Sequence, residues 1–401
     1  MKKAIFSLIT FICIVSTSFV TTSCKQEENK APKYVFLFIG DGMGITQVVM
    51  TDYYLSFKEG KIGGEHLCFS SFPYSAICTT YSNNSGVTCS SAAGTAIATG
   101  HKTDNSCLGV DAEGNPLKSM AYDFKEMGYK VGIMTNVAVN HATPASFYAN
   151  SRKRSDYYNI TKQLPGSDFD FFAGSGFLKY YGKKKDMPGS DEVIKEGGYT
   201  LAWGQEEFDS LKTTTDRLVL CQAYNKGKEP ANYDVTSIAP DGNMTLEQMF
   251  IDCMEFLGDE KPFFIMCEGG TIDWKCHGNA VMETVTTIMG MDDAIRHAYE
   301  FYLAHPDETL IVVTADHETG GLSLGCDDRY ETIHWAELDS TWVANGYKLP
   351  EMEKTQRAAN VAWGTTGHTG APVPIFAVGK GAEKFTGMMD NTQIKGKILG
   401  E

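Results

Sequence analysis

Apolar residues fall in short unbroken runs along this chain, separated by stretches with helical spacing. Residues 33–39 (KYVFLFI) form one such run, ended by the glycine-rich Gly40-Asp41-Gly42-Met43-Gly44. A compact run of apolar and aromatic residues closed by glycines predicts a strand buried on both faces. The same reading predicts strands over 129–135, 262–267, 309–314 and 374–378. Residues 90–100 are small and alanine-rich, suited to a tightly packed helix, and 117–127 have amphipathic spacing. The long pattern over 280–303 predicts the helix joining two strands. Strands that do not alternate apolar with polar, spaced by helices, predict an α/β fold. Its central sheet should be largely parallel, with helices on both faces. Residues 165–245 fit less well, with clustered Gly, Pro, Lys and Asp, and are expected to form an insertion or cap.

The N-terminus changes the picture of where the chain works. Lys2 and Lys3 precede an apolar stretch over 4–20 that is too short and interrupted for a good spanning helix, so residues 1–23 are expected to be a cleaved export signal. Cys24 follows small residues, which predicts acylation at that cysteine and a polar tether over 24–32. A periplasmic or outer-membrane lipoprotein is the expectation, with residues 33–401 as the catalytic domain. The hydrophobic fraction of 42% is ordinary for a globular chain. A formal net charge of −15 argues against nucleic acid as a partner, and against binding acidic membrane surfaces by charge. Setting aside Cys13 and Cys24, nine of the eleven cysteines remain, and no CxxC pair suggests a cysteine zinc site.

Three predicted strands end in an acid: Asp41 after VFLFIG, Glu268 after FFIMC and Asp316 after LIVVTA. In open parallel sheets, ligand sites collect at the carboxyl ends of strands. Asp273 and His277 are four apart, which on a helical turn puts a carboxylate and an imidazole on one face. Asp316 and His317 are adjacent at a strand end, and His368 sits among small residues in TTGHTG. Carboxylates mixed with imidazoles suit zinc, and an oxygen-only set suits magnesium. Ser90 opens the alanine-rich helix, where backbone N–H groups and the helix dipole favour an alkoxide; Ser91 is the rival nucleophile.

The motifs IGDGMG, VTCSSAAGTAIATGHKT, HATPASFYA, EGGTID with a following histidine, TADHETGG and GHTG stand in order from Gly40 to Gly370. This set resembles the alkaline phosphatase family. The resemblance implies two zinc ions, one held by Asp273, His277 and His368 and the other by Asp41, Asp316 and His317. It implies a magnesium ion on Asp41, Thr143 and Glu268, with His141 and Trp274 close to that site. It also implies Ser90 as the nucleophile that becomes phosphorylated, Arg154 as the phosphate clamp, hydrolysis of phosphate monoesters with an alkaline optimum, and an association into homodimers common in the family. One departure stands out: the aspartate usual before the nucleophile is Cys89 here. A sulfatase is excluded, because its signature needs Pro and Arg where this chain has Ser91 and Ala93. The alternatives are a phosphodiesterase or nucleotide pyrophosphatase of the same superfamily, and a surface binding protein that kept the fold without catalysis. Ser90, Arg154 and the Thr143–Glu268 pair favour the monoesterase.

Overall fold

A computed structural model describes residues 31–230, 243–326, 332–344 and 356–401. The expected leader over 1–23, Cys24 and the tether as far as residue 30 lie outside the described residues, as do 231–242 of the expected cap. No helix among the described residues is long and apolar enough to cross a membrane.

The strands, in chain order, are β1 (Tyr34–Gly40), β2 (Tyr74–Thr79), β3 (Lys130–Thr135), β4 (Phe171–Gly174), β5 (Thr200–Trp203), β6 (Leu218–Cys221) and β7 (Phe263–Gly269). They continue with β8 (Thr309–Ala315), β9 (Glu318–Thr319), β10 (Leu322–Leu324), β11 (Val361–Trp363), β12 (His368–Thr369), β13 (Val373–Gly379) and β14 (Gly387–Asp390). Ten of them build one sheet in the order β14-β2-β13-β8-β1-β7-β3-β4-β6-β5. Every neighbouring pair is parallel except the two made by β13, which runs against both β2 and β8. The expected α/β fold with a largely parallel sheet is therefore the observed one.

All seven residues of β1, of β7 and of β8 are buried, as unbroken apolar runs require when helices cover both faces. Side chains at successive strand positions point to opposite faces. Phe263 meets Phe36 (ring centroids 5.2 Å apart) and Phe301 (5.6 Å), the latter from the helix Val281–Ala304. Its neighbour Phe264 stacks on Phe124, at 4.8 Å, from the helix Met120–Glu126. Consecutive phenylalanines thus fasten helices to the two sides of the central strand that carries Glu268.

Residues 165–245, expected as an insertion or cap, contribute β4, β5 and β6, so their described part extends one edge of the sheet and is not set apart from it. These strands are only four residues each, too short to show a period, and lysine- and glycine-rich connections hid them. The antiparallel course of β13 was equally invisible, because direction is decided by the connection and the pairing.

Phe264 is fully buried between β7 and two other aromatic rings, so Phe264→Ala should cost about 3–5 kcal/mol of unfolding free energy. Urea unfolding with a chelator present measures this; a loss below about 1 kcal/mol would mean that the face is not packed as described.

Candidate metal centre

The parallel strands aim their carboxyl ends at one edge of the sheet, and the chemistry-bearing residues collect there. Ile39 of β1 pairs with Glu268 of β7 on one side and with Thr314 of β8 on the other. Asp41, two residues on, therefore emerges between Glu268 and Asp316. Gly42 turns the chain at φ +73°, and a Cβ there would lie 2.9 Å from both Asp273 Cα and Thr319 Oγ1, so only glycine lets these segments close up. The helix Thr271–His277 starts just after β7 and presents Asp273 and His277 from one side. His368 arrives from the opposite direction: because β13 is reversed, the residues leading into it lie at the edge where the other strands end. There β12 pairs with β9, His368 opposite Thr319.

Three clusters result, each with its ligand atoms within 4.8 Å of one another: Asp273 with His277 and His368, Asp41 with Asp316 and His317, and Asp41 with His141 and Glu268. In the first, His277 Nε2 is 3.2 Å from Asp273 Oδ2 and His368 Nε2 is 3.6 Å from Oδ1. In the second, His317 Nε2 lies 3.4 Å from Asp41 Oδ1 and 3.3 Å from Asp316 Oδ2. The third shares Asp41 with the second. Thr143 is also fully buried, and Trp274 sets its ring edge-on to His141, at 6.1 Å between centroids.

Burial here is not matched by hydrogen bonding. Both carboxylate oxygens of Asp41, Oδ2 of Asp316 and Nδ1 of His141 are buried with no hydrogen-bond partner among the described residues. Buried polar atoms ordinarily find partners, and carboxylate oxygens and imidazole nitrogens are of the kind that bind divalent cations. Each of the three groupings mixes carboxylate with imidazole, a donor set that suits divalent transition-metal ions.

The charges agree with that reading. Burial pushes the Asp41 carboxyl well above its usual range, and the carboxylates of Asp316, Asp273 and Glu268 add to the push. Burial raises Glu268 too, and lifts Asp316 to about 6. The His317 and His141 imidazoles are driven down to about 4 and about 3, by burial first and by the nearby charge of Arg154 as well. Burial acts upward on Asp273 also, but the hydrogen bond from His277 and the imidazoles of His317 and His368 hold its carboxyl well below the usual range.

Ser90 is the first residue of the helix Ser90–Thr99 and is buried. Its Oγ stands 3.3 Å from His317 Nε2, and Arg154 reaches it with one guanidinium nitrogen at 3.5 Å while the other lies 3.5 Å from His141 Nε2. Cys89 Sγ accepts from the Ser106 amide at 3.1 Å and lies 3.2 Å from Ser91 Oγ. Burial raises the Cys89 thiol, yet these contacts and the charge of Arg154 outweigh it and leave the thiol below its ordinary range. Ser91 points its hydroxyl at Cys89 and not at the clusters, which separates the two candidate serines.

Sequence reasoning missed the residues that brace the clusters. Thr135 pairs directly with Glu268 in the sheet and donates its hydroxyl to Glu268 Oε2. Thr319 donates to Asp273 Oδ1 at 2.7 Å. The carbonyls of Thr88 and Thr366 face Nδ1 of His368 and of His277. Thr319 was open to detection, since it sits two residues after His317 on an extended segment. Thr135 was not, because only the β3–β7 register brings it to Glu268.

The arrangement is that of a metal-dependent hydrolase on an α/β sheet. The profile of the family described as alkaline phosphatase matches residues 32–399, and the chain belongs to that family. It is 28% identical to alkaline phosphatase 4 of Bacillus subtilis, over 92% of this chain and 88% of the relative. Among solved structures, the alkaline phosphatase of the Antarctic bacterium TAB5 superposes with a TM-score of 0.74 and 30% identity, covering 92% of this chain and 98% of that one. A variant of the same enzyme with magnesium bound gives a TM-score of 0.75. A cold-active alkaline phosphatase from Shewanella sp. gives 0.75 at 26% identity, covering 91% of this chain and 98% of that one.

A cation entering the Asp41–Asp316–His317 cluster competes with the protons that burial favours on its carboxyls, Asp316 being lifted to about 6 and Asp41 pushed well above its usual range. The metal-binding forms are the deprotonated ones, so affinity rises with pH. Apparent zinc affinity should fall by at least about tenfold in all as pH drops from about 7 to about 5. Competition against a chelator of known pH dependence measures it, and a flat profile would show these carboxyls to be ionised already.

Proposed function

We propose that this protein hydrolyses phosphate monoesters through a phosphoserine formed on Ser90. The observation that carries the reading is the position of the Ser90 hydroxyl. It lies at the start of a ten-residue helix, 3.3 Å from His317 in the cluster with Asp41 and Asp316, and 3.5 Å from Arg154. Two zinc ions would be held by Asp273, His277 and His368 and by Asp41, Asp316 and His317, and a magnesium ion by Asp41, Thr143 and Glu268. Such ions supply the positive charge that lowers the pKa of a bound hydroxyl and stabilises a departing alkoxide. Among the relatives, magnesium is bound in a variant of the Antarctic enzyme in which a histidine is replaced by aspartate.

The chain's own residues do the rest. Arg154 makes no ion pair with a carboxylate among the described residues, and its planar fork matches two phosphoryl oxygens. The N-terminus of the helix at Ser90 favours the negative charge that gathers there. Ser90 Oγ forms a bond to phosphorus as the ester oxygen leaves and takes a proton. Water then forms the new bond to phosphorus, and Ser90 departs with its hydroxyl restored. The sum is one water consumed per ester cleaved. Cys89 stands where the family usually has a carboxylate, and the charge of Arg154 acts on its thiol. The anchor, export and dimerisation expectations stay with this reading as proposals.

Turnover of p-nitrophenyl phosphate against the bis-p-nitrophenyl diester, in alkaline buffer with zinc and magnesium, tests the substrate class. A strong monoester preference is expected. Ser90→Ala should lower kcat by at least about a thousandfold, and Arg154→Ala should lower kcat/KM by about a hundredfold. Diester preference would move the protein to the phosphodiesterase branch.

A further inference from the structure

Thr319 has no assigned role, yet its hydroxyl touches a ligand from each of two clusters. It lies in β9, fully buried, and its hydroxyl donates to Asp273 Oδ1 at 2.7 Å while standing 3.2 Å from His317 Nδ1. A hydroxyl has one proton and two lone pairs, and an ionised carboxylate only accepts. The proton of Thr319 is therefore committed to Asp273, and the second contact must run the other way, with His317 Nδ1–H donating to Thr319 Oγ1. That leaves the lone pair of His317 on Nε2. Nε2 is the atom 3.4 Å from Asp41 Oδ1, 3.3 Å from Asp316 Oδ2 and 3.3 Å from Ser90 Oγ.

The backbone of the same residue is tied in two further directions. Its N–H donates to the Gly42 carbonyl at 3.2 Å, beside Asp41, and it pairs with His368 across β9 and β12. Asp273 and His368 belong to one cluster, and Asp41 and His317 to the other. Gly42 keeps the space for the hydroxyl, since a Cβ there would come within 2.9 Å of Thr319 Oγ1.

We propose that Thr319 is the positioning residue that couples the Asp273–His277–His368 and Asp41–Asp316–His317 clusters, holding Asp273 for one cation and setting the His317 tautomer for the other, so that the two sites load together. This rests on the reading of those clusters as a pair of metal sites. Groups that orient a ligand from behind typically account for about 10–100-fold in metal affinity. Here one hydroxyl stands behind ligands of both sites, so its removal should be felt at both.

The test uses the whole protein, stripped with a chelator and titrated with zinc alone against a fluorescent competitor. Wild type is expected to take up two zinc ions over a narrow concentration range. Thr319→Val, which keeps the branched shape and loses the hydroxyl, should weaken both steps by about 10–100-fold and separate them. Thr319→Ser, which keeps the hydroxyl, should return both steps to within several-fold of wild type. Thr319→Ala serves as a second hydroxyl-free variant should the valine protein fail to fold, and the melting temperature of each metal-free protein reports any purely structural loss. Zinc affinities of Thr319→Val or Thr319→Ala within about twofold of wild type would overturn the proposal, as would a loss confined to one step. Wild type that loads two zinc ions but turns over no monoester would sink the phosphatase reading and leave the Thr319 result standing.

Discussion

Like charges forced together inside the protein set the terms for everything else at this site. Asp41, Glu268, Asp273 and Asp316 are all buried, and at an effective dielectric near 20 two unit charges about 4 Å apart repel by about 4 kcal/mol. Left alone, such groups shed charge by taking up protons, which is the direction in which burial pushes Asp41, Glu268 and Asp316. Divalent cations held by these groups would remove the repulsion and replace the missing hydrogen-bond partners together. Burial of β1, β7 and β8 supplies the stabilisation that the carboxylates take away.

The geometry follows from the order of strands. With β1 between β7 and β8, three acids at strand ends become neighbours without any one of them leaving its strand's natural exit. A purely parallel sheet would still lack the third group of the first cluster. The reversal of β13 provides it, by turning the segment with His368 back over the carboxyl edge, where β12 locks onto β9. The buried threonines Thr135 and Thr319 then fix the ligands in orientation, each from a neighbouring segment. Arg154 reaches Ser90, and the Cys89 sulfur, next to Ser90 in the chain, accepts from the Ser106 amide.

Much of this was written in local order along the chain. Unbroken apolar runs specified the strands 33–39, 262–267 and 309–314 because a strand covered on both faces has no polar side to interrupt it. The acids closing those runs and the four-residue spacing of Asp273 and His277 followed from the periods of strand and helix alone. Pairing, direction and register belong to the tertiary structure, since they depend on which segments meet and not on what each segment prefers. That is why β13 runs backwards, why the four-residue strands β4, β5 and β6 join the sheet, and why Thr135 lies opposite Glu268. It is also why one hydroxyl at Thr319 faces ligands 46 and two residues away in the chain. The sequence by itself determined which groups could do chemistry. Only close packing of distant segments, driven by burial of the apolar runs between them, decided which of those groups would share an ion.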